Sequence, residues 1–377
     1  MKFIRIALPI RRGMNSEENR ILFLLLLFSL FVPFVSAQSL PPLSQEQQDS
    51  IYRSYDVDDV VVYGTKRLPK IIPAQELAGI ELKRLSVASV ADAIRYFSGV
   101  QIKDYGGIGG LKTVNIRSMG TQHVGVFYDG IQLGNAQNGQ IDLGRFSLEN
   151  MEAISLYNGQ KSVIFQSAKD FASAGSIYMT TKTPRFEGDK KYNLNVSVKT
   201  GSFGTVNPSL LWEQRIGKKV SSSLSAEYMY TTGRYKFTYA KKNGYDTTEV
   251  RRNGDVRALR VEWGLFGQME KGEWRTKAYF YDSERGYPGA SVREEPGKFK
   301  HEDRQWDRNF FFQSSFRKTV SGLYSVMLNG KYAYDYLHYL SDPRLDVTTM
   351  YVNNHYYQQE AYFSFVNGFT FFDWWNA

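Results

Sequence analysis

Few residues in this chain are able to do chemistry. There is no cysteine and there are four histidines in 377 residues, which excludes a thiol nucleophile, a disulfide framework and every thiolate metal site. Serines, histidines and acids are present. None sits on a nucleophile elbow or is paired with a base at a recognisable spacing. The acids show no metal-ligand spacing, so a metal site stays unassigned. His123 is isolated beside a β-type run and reads as a structural or surface histidine. What remains is binding chemistry. Tyr105, Gly106, Gly107, Gly109 and Gly110 form one glycine-rich loop, and Gly134 to Gln140 (GNAQNGQ) supplies Asn135, Gln137, Asn138 and Gln140. Both offer close backbone approach, and the second adds amide donors and acceptors, which suits apical loops that meet a ligand. The glycines at 106–110 are not a dinucleotide fingerprint, because no helical pattern follows them.

The elements that must position these loops lie between residues 60 and 184. Val60 to Tyr63 is a short β-branched run ending at Gly64. Ser86 to Phe97 places Val87, Val90, Ala91, Ile94 and Phe97 at three- and four-residue spacing, which predicts a helix capped by Ser86 or Ser89 and stopped at Ser98-Gly99. Strands are expected at Thr113–Arg117, Val124–Tyr128, Met151–Tyr157 and Ser176–Thr181. Asp129-Gly130 predicts a type I′ turn, and Asn158-Gly159 is a second hairpin signal.

Residues Ile21 to Val35 form an uncharged apolar run, and Val35-Ser36-Ala37 offers a cleavage site. We read 1–37 as a secretory signal peptide rather than a membrane helix, because the run is short for a span and Pro33 interrupts it. Met14 is an alternative start. Cleavage lowers the net charge from +9 by removing five basic and two acidic residues. No long basic run survives, so nucleic acid is not an expected partner. Residues 38–59 are rich in Gln, Pro, Ser and Asp and read as a flexible leader.

After Pro184 the pattern becomes period two. Leu194, Val196 and Val198 alternate with Asn193, Asn195 and Ser197. Leu259, Val261, Trp263 and Leu265 oppose Arg260, Glu262 and Gly264. Eight strands are expected near 191–200, 205–216, 219–230, 256–269, 273–284, 306–317, 322–335 and 356–371. Tiny turns at 217–218, 270–272 and 318–321 alternate with long polar connections at 231–255, 285–305 and 336–355. A soluble sandwich also alternates, but it has no reason to sort its loops by side. Alternation with one polar face, sorted loops and aromatic strand ends (26 Tyr, 25 Phe and 6 Trp in all) predict a transmembrane β-barrel, with long loops outside and short turns in the periplasm.

The ordered motifs VVVYGTKR (Val60–Arg67), SVADAIRYFSGVQI (Ser89–Ile102), LKTVNIRSMG (Leu111–Gly120), HVGVFYDGIQL (His123–Leu133), MEAISLYNG (Met151–Gly159) and SAGSIYMTTKTP (Ser173–Pro184) resemble the plug of TonB-dependent outer-membrane receptors, especially vitamin B12 transporter-like members. The resemblance implies a mixed α/β plug domain at 60–184 followed at 185–377 by antiparallel strands, the N-terminal part of a 22-stranded barrel that needs more chain than this. It implies the cell outer membrane, contact with outer-membrane lipid, no cofactor, no catalysis and an energy-transducing periplasmic partner of the TonB type, and it leaves room for a surface lipoprotein partner. The TonB box is expected among Asp56, Val57, Asp58, Asp59, Val60, Val61 and Val62, although Val60–Val62 reads equally well as the first plug strand. Arg117 and Glu152 match the family's plug–barrel ionic network, while Ser118 replaces a glycine and Asn158 an arginine of its motifs. The implied function is import of a large scarce substrate. A corrinoid is the first expectation. A ferric siderophore, haem or a glycan follows, with His123, His301 and His338 unranked as haem ligands. A surface binding component without a channel is the alternative.

Overall fold

A computed structural model describes residues 74–377 except 86, 88, 106–109, 136–139, 160, 162, 172, 241–245, 289–301, 342–350 and 373–374. The TonB-box candidates 56–62 and the strand expected at Val60–Tyr63 lie outside the described residues.

The first half is built on a five-stranded sheet. Its strands are β1 (Ala74–Ala78), β4 (Val124–Tyr128), β5 (Ile131–Gln132), β6 (Met151–Tyr157) and β7 (Gly175–Thr181), in the order β1-β6-β7-β4-β5. Only the β4–β7 pair is parallel. A separate hairpin joins β2 (Val100–Asp104) to β3 (Lys112–Ile116). Helix α1 (Gly79–Arg84) follows β1, and α2 (Val90–Ile94) packs its Val90, Ala91, Ala93 and Ile94, all fully buried, into the core with Leu143, Phe146, Ile154 and Met179.

Ser89 is the cap of α2. Its hydroxyl accepts from the Asp92 N–H at 3.4 Å and donates to the Asp92 carboxylate at 2.7 Å. The helix is shorter than the expected 86–97. Tyr96 and Phe97 donate to residues three back, so the chain tightens into turns before Gly99. Asp129 (φ 47) and Gly130 (φ 85) make the type I′ turn that the sequence predicts. Asn158-Gly159 does not close a hairpin. β6 and β7 pair antiparallel, but β7 begins only at Gly175. The long connection has its own anchor, Asp170, which accepts from Tyr178 Oη at 2.9 Å and from Ser167 Oγ at 2.5 Å.

The second half is one antiparallel meander: β8 (Tyr192–Gly201), β9 (Thr205–Arg215), β10 (Val220–Thr231), β13 (Val256–Met269), β14 (Gly272–Pro288), β15 (Glu302–Thr319), β16 (Tyr324–Ser341), β17 (Val352–Phe372) and β18 (Trp375–Asn376). A small hairpin, β11 (Tyr235–Ala240) and β12 (Asp246–Arg251), occupies the connection after β10. The strand order is linear, with β8 and β18 at its edges, so these strands form an open, partial barrel wall. Every expected strand is present. β14, β15 and β16 run several residues further toward the long connections than the apolar pattern suggests. Polar cross-strand pairs such as Tyr287–Gln305 at 2.8 Å and Arg304–Asp255 at 2.8 Å continue the ladder there.

The wall is inverted relative to a soluble protein. Many of the buried side chains on its inner face are polar or charged, among them Ser223, Ser225, Glu227, Arg260, Glu262, Lys277, Arg285, Asp307, Gln313 and Lys331, beside Met229, Tyr279, Phe311 and Ala333. Exposed on the other face are Val196, Trp212, Leu259, Trp263, Phe312, Phe363 and Phe365, Phe363 by 72%. Strands with apolar-out, polar-in alternation are what a lipid-facing wall requires.

Candidate functional site

The site is the surface where the first domain meets the inner face of the wall. Arg260, 3% exposed, donates to Glu227 Oε1 at 2.7 Å and reaches into the plug at Arg145 O (2.5 Å) and Gly144 O (3.0 Å). Tyr279 Oη donates to the same Arg145 carbonyl at 2.8 Å. Glu262 accepts from Tyr128 Oη at 2.5 Å and from Asn150 Nδ2 at 3.0 Å. Burial first, and the neighbouring carboxylates next, push the Tyr128 phenol well above its ordinary pKa, so it stays a donor. Lys277 lies 3.1 Å from Asp129 and also donates to Thr181 Oγ1. Rings add packing: Tyr279 stacks on Phe311 with centroids 4.8 Å apart, and Tyr128 and Phe146 lean on the pair. The interface is therefore hydrogen-bonded and ionic along most of its length, with one aromatic knot.

Above this contact is a cup of about 290 Å³ between plug and wall. Asn135 and Gln140 line it from the plug, with Asp142 and Arg145. The wall contributes Arg285, Asp307, Asp335 and a set of tyrosines that includes Tyr339 and Tyr357. Arg285 is held between Asp142, at 3.2 Å, and Asp307. Arg145 is different. It is 7% exposed, its guanidinium lies 5.2 Å from the Phe146 ring, and among the described residues its Nε has no partner and it forms no ion pair. With its carbonyl fixed by two wall donors, its guanidinium is a positioned cation in the lining of the cup.

The remaining sequence candidates fall as follows. Tyr105 is half exposed, and Gly110 is buried beside the β2–β3 hairpin. Gly106, Gly107, Gly109, Gln137 and Asn138 lie outside the described residues. Arg117 is exposed with φ 49 and makes no side-chain hydrogen bond or ion pair among the described residues. Glu152 pairs with the exposed Arg185 at 3.4 Å rather than with a wall strand. The plug–wall contacts among the described residues include those of Tyr128, Asp129, Asp142, Gly144, Arg145 and Asn150. His123 lines a second cavity beside Gly134. His338 stacks between Trp306 and His355 at 4.6 and 4.0 Å, and His301 is outside the described residues.

Sequence reasoning missed the ionic residues of the wall. Their signal was present: Arg260, Glu262, Lys277 and Lys331 occupy inward positions of period-two strands, where a charge must find a partner inside. It also missed β1 and α1.

Residues 72–169 match the family described as TonB-dependent Receptor Plug Domain. The chain is 25% identical over 239 residues to the vitamin B12 transporter BtuB of Vibrio vulnificus (strain YJ016), an alignment that covers 62% of this chain and 35% of that protein. Among solved structures it is similar to the copper transporter OprC (TM-score 0.61, 15% identity, 80% of this chain and 44% of that one). It is also similar to the ferric preacinetobactin receptor BauA from Acinetobacter baumannii (TM-score 0.55, 11% identity, 79% and 43%). The ferric-catecholate import receptor Fiu from E. coli K12 shares the fold too (TM-score 0.52, 13% identity, 80% and 46%). The chain spans about a third of the length of the curated relative it matches and less than half of these solved chains. Residues 72–169 thus match the TonB-dependent receptor plug domain, and with a polar inner wall and an apolar outer face the chain shares the fold of these solved receptors, a plug domain followed by antiparallel barrel-wall strands.

Proposed function

We propose that this chain belongs to an energy-coupled receptor that imports a chelated metal across the outer membrane, a ferric siderophore ahead of a corrinoid. The observation that carries the cargo choice is Arg145, a buried guanidinium in the lining of the cup that forms no ion pair among the described residues. A cation held this way recognises anionic oxygen, which metal-chelating groups of the carboxylate, catecholate or hydroxamate type present. Asn135, Gln140 and the wall tyrosines add hydrogen bonds and aromatic surface around it. The relatives named above transport vitamin B12, copper or ferric siderophores according to their descriptions, and a chelated metal spans that set. Tyr105 and the loops at 106–109 and 137–138 are proposed to complete the cup, 60–184 to be the plug and 185–377 wall. Residues 56–62 are proposed to bind the periplasmic energy-transducing partner, with the outer membrane as the lipid environment.

The test is equilibrium binding of ferric siderophores and cobalamin to a receptor carrying this chain, with Arg145→Gln beside it. A charge-assisted hydrogen bond contributes roughly 1.5–3 kcal/mol, so Arg145→Gln is expected to weaken the cognate ferric chelate about 10- to 100-fold. Tight cobalamin binding that ignores the substitution would move the cargo to a corrinoid. Uptake that persists after the proton-motive force is collapsed would remove energy coupling.

A further inference from the structure

A further polar cavity, of about 270 Å³, lies between plug and wall at the short-turn end of β14 and β15. Strand register sets it apart from the cup. Inward residues on β14 run Tyr281, Tyr279, Lys277, Arg275; the first lines the cup and the last this lower cavity. On β15, Asn309 lines the cup and Ser315 the lower cavity, with Phe311 and Gln313 between them. Successive inward residues lie about 6.8 Å apart, so three steps put the two cavities about 20 Å apart along a strand. The intervening layers are occupied by contacts to the plug. Lys277 meets Asp129 at 3.1 Å, and Gln313 Nε2 donates to the Tyr128 carbonyl at 2.9 Å.

Three acids and three bases line the lower cavity, and each acid has partners. Asp129, besides Lys277, accepts from Thr181 N and Oγ1 at 2.9 and 2.8 Å. Asp170 accepts from Tyr178 Oη and from the N–H and hydroxyl of Ser167. Glu273 pairs with Arg275 at 3.3 Å. Lys161 stands 3.4 Å from the centre of the Tyr178 ring. The Arg317 side chain forms no ion pair or hydrogen bond among the described residues, and its guanidinium lies 5.0 Å from the Phe165 ring. In the cup, Arg145 stands in the same relation to Phe146 at 5.2 Å. The two cavities thus repeat one device, a guanidinium set on a phenylalanine face. Gln166 supplies a second, independent observation. Both of its amide atoms are buried and have no partner among the described residues. A buried amide is destabilising unless water or a ligand meets it. Its oxygen accepts and its nitrogen donates, which suits a ligand carrying both kinds of group.

We infer that the lower cavity is a second subsite for a metal chelate with anionic oxygens, in which Arg317 supplies the charge and Gln166 the hydrogen bonds. The inference rests on the cargo reading above and extends it to the other end of the plug–wall contact. A chelate seated there gives Arg317 an anionic partner and gives Gln166 both of its missing bonds. Asp129, Asp170 and Glu273 keep their own partners, so no native ion pair has to break for the ligand to enter. Phe165 holds the guanidinium plane in place and offers an apolar wall to the ring or chain of an organic chelator.

The test is equilibrium binding of a radio-labelled iron(III) tris-catecholate complex to the detergent-solubilised receptor carrying this chain, where both ends of the wall are open to solvent. Two classes of site are expected. Arg317→Gln should weaken the second class about 10- to 100-fold, and Arg145→Gln should weaken the first class instead. Gln166→Leu guards against a variant that merely misfolds. It removes an unpartnered buried amide, so a purely structural role predicts an unchanged or higher urea midpoint and unchanged binding. The subsite predicts that this variant keeps its midpoint and loses about 10-fold in the second class. Inorganic phosphate separates a chelate site from a site for any small anion: at a concentration equal to the chelate's it should leave the second class occupied. A second class that survives both Arg317→Gln and Gln166→Leu overturns the inference, as does its displacement by phosphate at that concentration. Binding in the Arg145-dependent class alone overturns this inference and leaves the cargo reading standing. No binding in either class overturns both.

Discussion

Replacing Arg260 with methionine should unseat the plug more than any other single change in the wall. The guanidinium has three acceptors, Glu227 Oε1 at 2.7 Å, Arg145 O at 2.5 Å and Gly144 O at 3.0 Å. Methionine fills similar volume and removes all three bonds. Glu227, 4% exposed, is then a buried carboxylate whose hydrogen bond from Asn207 at 2.8 Å remains but whose counter-charge is gone. Breaking a buried pair by removing one partner costs about 3–5 kcal/mol. Arg145 O keeps the Tyr279 donor, so only Gly144 O is newly orphaned, at about 1–3 kcal/mol if water cannot reach it. Glu227→Gln should cost less, about 1–3 kcal/mol, because Arg260 retains both plug carbonyls. The double variant buries no charge at that place, so its loss should fall short of the sum by about 2–3 kcal/mol. The assay is urea-dependent plug opening in the detergent-solubilised receptor, read as hydrogen exchange at the Gly144 and Arg145 amides. Additive single effects, or an Arg260→Met midpoint equal to the parent's, would refute the assignment of this pair as a principal clamp.

Other outcomes follow from the same contacts. Ser89→Ala removes the α2 cap and should lower plug stability by about 1 kcal/mol, measurable in the same urea titration, with Ser89→Asp restoring most of it. Burial alone would raise the Asp92 carboxyl, but the Lys112 ammonium at 2.9 Å and the Ser89 hydroxyl outweigh it and hold it below the usual range. Its contribution is therefore complete above the unfolded carboxylate value of about 3.9 and is lost as pH falls through the folded value. Asp92→Asn should flatten the acid limb of plug stability without changing its shape above about pH 5. Single cysteines at Arg252 and Lys218 should label from outside the cell and only after outer-membrane permeabilisation, respectively; the reverse pattern would invert the wall.

The wall was legible because its signal is local. Period-two alternation names the strands of 220–231 or 256–269 from their own residues, and turns such as Asp129-Gly130 carry their geometry in two residue types. Strand ends beyond Glu284 were not legible, because Arg285 and Tyr287 continue the ladder through partners on other strands rather than through apolar pattern. β1 was missed for the same reason. AQELA has no β-branched run and is a strand only because Ala74 to Ala78 lie against Tyr157 to Ala153. The cup was half legible: its amide loop could be read, but Arg145 could not. An arginine between Gly144 and Phe146 reads as solvated until the wall closes over it. The expected roles of Arg117 and Glu152 came from motif position, which carries no information about which wall residues stand opposite.

The two halves of this chain also differ in how they must be assembled in time. Every pairing in the wall joins strands adjacent in chain order, apart from the β11–β12 hairpin inserted between β10 and β13. Such a meander pays little loop-closure entropy per step and can zip from turn to turn. The plug has no such path. Ala74 must find Tyr157, and Val124 must find Gly175 in parallel, so its sheet forms through long closures and on a slower clock. A wall that zips first faces its lumen with Arg260, Lys277 and Lys331 before Glu262 and the plug carbonyls have their partners. Those charges are stable only while water fills the lumen, which makes the polar lining a condition for completing the receptor as well as for working it.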